Sequence, residues 1–169
     1  MIEKMKEVRL PPIASIREYE PISIRQLRDL KLPGEIMVMI SHPELLYTVQ
    51  ADGTMNVLTS EVYDNGARVI GTIIDIVGRE LQGSTTFSGI VGGEGARQVS
   101  ILTTETYAMQ RTGLATRRLI TINEFCTERF GVHLSSSSTP SVSAKGVWKK
   151  LQNIGLVEFD PKLGAYTFK

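Results

Sequence analysis

The most constraining stretch of this chain lies near its end, where Ala144, Val147, Trp148, Leu151 and Ile154 recur at three- and four-residue intervals. That spacing puts the five apolar side chains on one side of a helix, so the segment has to dock against something. Gly155 stands where a left-handed residue ends such a helix, and Ser141 or Ser143 is placed to cap its start. LVEF and AYTF then flank Asp160-Pro161-Lys162-Leu163-Gly164, a turn with Pro and Gly that predicts a hairpin. Upstream, Thr121 and Glu124 have capping-box spacing. Ile122, Phe125, Cys126 and Phe130 follow at helical intervals, and Gly131 marks a stop. A polar loop, HLSSSSTP, joins the two predicted helices.

The stretch SVSAKGVWKKLQNIGLVEFDPKLGAYTF resembles the winged helix-turn-helix superfamily, in its second helix, its Gly-Leu junction into a strand and its wing. The resemblance covers the last third of the chain. It implies that the second helix enters a major groove and reads bases from its outer side. Ser143, Lys145, Lys149, Gln152 and Asn153 face away from the apolar stripe, and Lys150 lies near its edge. Lysine neutralises phosphate or reaches guanine, while Gln and Asn pair with adenine edges. Ser137, within the run Ser135–Ser138, would donate to phosphate, and Lys162 would sit at the wing tip. Arg117 and Arg118 add charge before the first helix. Units of this kind also serve purely as protein-contact modules, since fold does not fix function.

Charge supports a basic C-terminal region. Residues 1–110 hold 10 Lys and Arg against 14 Asp and Glu, whereas residues 111–169 hold 9 against 4, a balance of +5. Such asymmetry points to an anionic partner for the basic part. A hydrophobic content of 41% with 22% charged residues fits a globular chain and not wholesale disorder. The single cysteine, Cys126, leaves no internal disulfide and fits a reducing compartment such as the cytoplasm. No apolar run approaches the roughly 20 residues of a membrane helix. The opening MIEKMKEVRL carries acids and no apolar core, unlike a signal peptide.

Residues 1–21, with Pro11, Pro12 and Pro21, read as an extended arm. Ser23 is placed to cap a short helix, IRQLRDLKL, which stops before Pro33-Gly34. Ile36–Ile40 reads as a buried strand. LLYTVQ and TMNVLT flank Ala51-Asp52-Gly53 as a hairpin. Between Ser60 and Leu81, β-branched residues favour a strand, but Val62, Val69, Ile70, Ile73, Ile74, Val77 and Leu81 recur at helical spacing. Asp64, Arg68, Asp75 and Arg79 fall on the other side. The segment is also long for one strand, so a helix capped by Ser60 is expected there, weakened by Gly66, Gly71 and Gly78. TTFSGIV and ARQVSILTT then form a second hairpin around Gly92-Gly93-Glu94-Gly95. The expected architecture is α+β: an arm over 1–21, a mixed sheet with helices over 22–110, and a winged-helix-like unit over 111–169.

Other constellations point nowhere specific. GIVGGEGAR lacks the Gly-Lys-Ser/Thr ending of a phosphate loop and has strand-like sequence on both sides, so it reads as a hairpin turn. His42 and His133 have no partners at metal-ligand spacing. Cys126 falls on an apolar helix side and reads as core. Asp64 with Asp75, or Glu61 with Asp64, match a solvated helix side better than a catalytic pair. No metal or cofactor is expected. The first expectation is a non-enzymatic nucleic-acid-binding protein of regulatory or replication type, acting on duplex DNA and dimerising through its N-terminal unit. The second is a protein-interaction adaptor, its Ile36–Thr104 region similar in element order to roadblock or profilin-like modules. A small hydrolase or nuclease stands third.

Overall fold

Gly53, at φ +87°, turns the chain between Glu44–Val49 and Met55–Tyr63, which pair antiparallel as the Ala51-Asp52-Gly53 signal predicts. From this hairpin the sheet grows in both directions. The computed structural model describes residues 15–106 and 113–169. Its elements begin with a 3-10 turn at Ile16–Glu18, β1 (Glu20–Pro21), α1 (Ile24–Asp29), α2 (Gly34–Met39), β2 (Glu44–Val49) and β3 (Met55–Tyr63). They continue with β4 (Arg68–Val77), β5 (Glu80–Ile90), β6 (Gln98–Thr106), α3 (Leu114–Phe130), β7 (Leu134–Ser135), α4 (Val142–Asn153), β8 (Val157–Asp160) and β9 (Ala165–Phe168).

The strands form one sheet in the order β1-β2-β3-β4-β5-β6-β7-β9-β8. Every pairing is antiparallel except β6 with β7. Because strand residues alternate between faces, the apolar side chains divide into two cores. On one face Leu58, Val69, Ile73, Phe87 and Val99 pack under Leu119, Ile122 and Phe125 of α3. On the other, Val57, Ile74 and Ile76 pack with Leu27 of α1 and Ile36 of α2.

That arrangement overturns the expected fold class. No separate winged-helix-like unit forms at the C-terminus: β7, β9 and β8 extend the same sheet that β1–β6 begin. Trp148 and Leu151 of α4, with Val157 and Phe168, share their core with Leu46, Leu58 and Val69. Helix, Gly and hairpin are local instructions, and they are obeyed. Ser141 accepts from the Ala144 amide to cap α4, and β8 pairs with β9. What the local signals leave open is the edge on which Leu134–Ser135 lands, and it lands on β6.

Three smaller expectations also fail for physical reasons. The predicted 60–81 helix is the end of β3 and all of β4. This central strand is apolar on both faces, so its apolar residues mimic helical spacing. Gly66 and Gly78 punctuate turns at φ +84° and +64°. Gly71 lies beneath Phe87, where an added Cβ would come within 2.4 Å of the ring. The Ile36–Ile40 strand is instead α2, with Ile36 and Ile40 both buried four residues apart; so short an apolar run reads either way. Thr121 and Glu124 do not start a helix, because α3 begins at Leu114. Thr121 donates to the Arg117 carbonyl, and Glu124 accepts from the Ile16 amide at 3.0 Å. The expected arm lies partly outside the described residues. Its described part is pinned to this chain, Glu20 and Pro21 pairing with Tyr47 and Leu46 of β2.

Candidate functional site

Two places concentrate unsatisfied or unusual chemistry. The first is the junction of β6, α3 and β7. Strands β6 and β7 run parallel for only two register pairs, Val99 with Leu134 and Ser100 with Ser135. Just beyond, β6 bulges. Ile101 faces Phe87 and Thr103 faces Thr86, which leaves Leu102 as the extra residue, and it is exposed. A bulge bends its strand and ends pairing. On the other side the chain leaves β7 toward β9: the Ser136 amide donates to the Tyr166 carbonyl at 2.8 Å, and the Tyr166 amide donates to Ser136 Oγ at 2.9 Å. The two strands therefore part, and among the described residues no strand pairs with that edge of β6 from Ile101 to Thr104.

The gap opens toward the carboxyl end of β6, and there α3 begins. Its N-cap is Gly113, in the left-handed region at φ +82°, and no side chain caps it. At a helix start the first-turn amides lie outside the intrahelical hydrogen-bond ladder. They present a partial positive charge.

Beneath this start lies a buried polar network. Arg118, one turn into α3, is fully shielded, and its Nη1 donates to Asp75 Oδ2 of β4, also fully shielded. Nε donates to Thr85 Oγ1 at 2.9 Å. Nη2 donates to the Glu105 carbonyl at 3.0 Å and to Thr106 Oγ1 at 2.8 Å. Asn56 Nδ2 donates to Asp75 Oδ1 at 2.5 Å, and Gln50 Nε2 donates to Asn56 Oδ1 at 2.9 Å. Burial pushes the Asp75 carboxyl up, while the guanidinium and the Asn56 amide pull it back. The pair's geometry is that of an ion pair with its donors satisfied, the condition under which a buried pair survives.

The second place is the outer side of α4. Ser143, Lys145, Lys149, Gln152 and Asn153 are exposed there and Lys150 is half-buried, as the stripe predicts. Among the described residues, none of these lysines forms an ion pair. Lys162 is exposed in the β8–β9 turn, and Ser137 is half-buried just after β7. Arg118 does not join this set. It was expected to meet phosphate, but its donors are spent inside the protein. Arg117 is half-buried on α3, its Nε without a partner, and its pKa is lowered by desolvation, against the pull of Glu124.

The remaining candidates are quiet. Cys126 is core, its thiol pushed up to about 12 by burial. His42 Nδ1 lies 3.4 Å from Glu61 Oε2 at the surface. Among the described residues no cluster of His, Cys, Asp or Glu is built to hold a metal. No described helix is long and apolar enough to cross a membrane. Neither protein-family models nor curated proteins give a match to this sequence.

Sequence reasoning missed both the parted strands and the buried pair. An acid inside VIGTIIDIV was the available signal, since a carboxylate within a buried strand demands a partner.

Proposed function

We propose that this chain binds a phosphate-bearing cofactor with an extended, amide-bearing arm in the gap between β6 and β7. That is the chemistry of coenzyme A and its thioesters. What supports the reading is that, among the described residues, no strand pairs with β6 beyond Ser100 on its β7 side, and that α3 starts at Leu114 without a side-chain cap. In sheets with parallel strands, ligands settle in the crevice beyond the carboxyl ends, and a helix start with free amides favours phosphate. The edge of β6 from Ile101 to Thr104, which no strand covers among the described residues, would offer its amides and carbonyls to an extended chain, as in strand addition. A ligand that satisfies both walls needs phosphates at one end and peptide-like groups along its arm. A dinucleotide has the first and lacks the second.

Calorimetric titration of the full chain with coenzyme A, acetyl-coenzyme A, NAD and ADP tests this. Coenzyme A should bind at least about tenfold tighter than NAD, a difference of about 1.4 kcal/mol. Equal affinities, or no heat with coenzyme A at millimolar concentration, remove the reading.

A second reading, binding of nucleic acid with duplex DNA as the expected form, has its own support. Lys145 and Lys149 stand on the same exposed side of α4 as Gln152 and Asn153, and no acid pairs with them among the described residues. Replacing Lys145, Lys149 and Lys150 with alanine should weaken binding to every duplex and flatten its salt dependence. Equal affinity of variant and parent rejects this reading. A stoichiometric protein partner recovered without nucleic acid would favour the adaptor alternative.

A further inference from the structure

The segment that leads into β1 is strapped against the later turns of α3, and it does not close fully on what lies beneath. Ser15 Oγ and the Ile16 amide donate to Glu124, at 3.3 and 3.0 Å, and Arg17 Nε donates to Glu128 Oε1 at 3.0 Å. Glu20 and Pro21 then join the edge of β2. Between this strap, β2 and the end of α3, a cavity of about 260 Å³ opens beside the main core. Ile16, Tyr19, Leu46 and Phe125 line it, all of them buried core residues, together with Pro21. Folded interiors seldom leave a void of this size among packed apolar side chains.

The remaining lining residues are Glu128 and Arg129, an acid and a base. Each is steadied by a partner and keeps capacity to spare. Glu128 uses one oxygen on Arg17, whose side chain is 82% exposed, so that contact is weak and easily shared. Arg129 lies over the Phe125 ring, 5.3 Å from its centroid, and its Nη2 donates to Glu44 of β2. A guanidinium carries donors on every nitrogen, and among the described residues only Nη2 of Arg129 has an acceptor. The result is an apolar hollow with opposite charges in its wall. An apolar acid would set a like charge against Glu128, and an apolar amine would do the same to Arg129. A neutral apolar molecule would answer neither. A zwitterion with an apolar tail answers both.

We propose that this cavity binds a free α-amino acid with an apolar side chain. The side chain enters among Ile16, Tyr19, Leu46 and Phe125. The carboxylate takes the open donors of Arg129, whose planar fork fits it, and the ammonium meets Glu128. Pockets for drug-sized ligands run from about 300 to 1,000 Å³, so this smaller one suits a molecule the size of leucine or phenylalanine. The site stands apart from the cofactor reading above and does not depend on it.

Calorimetric titration of the full chain tests the assignment. The probes are L-leucine and L-phenylalanine, 3-phenylpropionate, which lacks the ammonium, 2-phenylethylamine, which lacks the carboxylate, and L-glutamate. Leucine or phenylalanine should bind with a dissociation constant of about 1 mM or tighter. Each truncated analogue should bind at least about tenfold more weakly than phenylalanine, because a charge-assisted contact is lost. Glutamate should give no heat. In Arg129→Gln the loss should fall on phenylalanine and phenylpropionate and spare phenylethylamine. In Glu128→Gln it should fall on phenylalanine and phenylethylamine and spare phenylpropionate. That crossed pattern separates ligand contact from damage to the fold, which would weaken every probe alike. No heat with leucine or phenylalanine at about 10 mM, phenylpropionate or phenylethylamine binding as tightly as phenylalanine, or a uniform loss in both variants overturns the proposal.

Discussion

Helices α3 and α4 each carry basic side chains in their first halves or near their middles, and the two sets end in opposite surroundings. On α3, Arg118 is drawn wholly inside and satisfied by Asp75 and β6. On α4, Lys145 and Lys149 stay in water with nothing to answer them among the described residues. Counting charge along the sequence gives both helices to an anionic partner. The difference lies in the sheet beneath. β4 carries an acid under α3, whereas α4 rests on Trp148, Leu151 and the aromatic side chains of β9, with Trp148 stacked on Tyr166. A basic residue becomes available to a ligand only where the layer below it has no acid to offer.

The contrast breaks most sharply at Arg118. Changing it alone to Met strands the Asp75 carboxylate, and chemical denaturation should show a loss of about 3–5 kcal/mol. The double change Asp75→Leu/Arg118→Met should cost less than either single one. If the losses instead add, the two groups are not coupled and the buried pair is misread.

Next in size is Gly71→Ala on β4. Its Cβ would meet Phe87 at 2.4 Å and the Thr59 carbonyl at 2.7 Å. Overpacking of this kind costs about 1–3 kcal/mol, and pairing it with Phe87→Leu should return only the part owed to the ring.

A smaller effect separates the α3 core from solvent through Cys126. Burial holds its thiol near 12 in the native state, against about 8.5 when unfolded. Below the unfolded value both states keep the proton and the contribution is whole. As pH climbs from there toward about 12, the unfolded chain releases a proton that the native chain retains, and stability drains away. Cys126→Ala should therefore make the alkaline loss of stability shallower than in the parent, as read from denaturation midpoints across that window. Identical slopes would mean the thiol is not shielded.

The smallest change is expected on α4. Lys149→Ala should move stability by no more than about 0.5 kcal/mol, because the side chain is exposed and has no ion-pair partner among the described residues. A larger loss would show that this helix, too, has a hidden acid partner.

Much of the local architecture is legible in the residues themselves. Ser23 caps α1 with Gln26 in reciprocal hydrogen bonds, Gly131 ends α3 in the left-handed region, and the turns at Asp52-Gly53 and Pro161–Gly164 make hairpins. Each depends on side chains within a few positions of one another. The failures share the opposite property. β4 looks helical because both of its faces are buried, a fact about its neighbours. Leu134–Ser135 is too short to announce a strand, and its parallel partner lies 35 residues upstream at Val99–Ser100, beyond any local pattern. The candidate cleft was missed for the same reason. The glycine-rich run GIVGGEGAR is followed by a strand, whereas Gly113, a lone glycine with no motif around it, is followed by a helix.

The two outermost strands have a consequence of their own. β1 is only Glu20–Pro21, and the proline has no amide hydrogen to offer. At the far rim, β8 carries Glu158 and Asp160 over four residues and then runs into Pro161. A broad, largely antiparallel sheet invites neighbouring molecules to zip on edge to edge and grow into fibrils, and short, acidic, proline-marked borders deny them a template. Trimming Glu20–Pro21 would bare Leu46 and Tyr47 of β2, and crowded solutions of the trimmed chain would clump where the intact one stays dispersed.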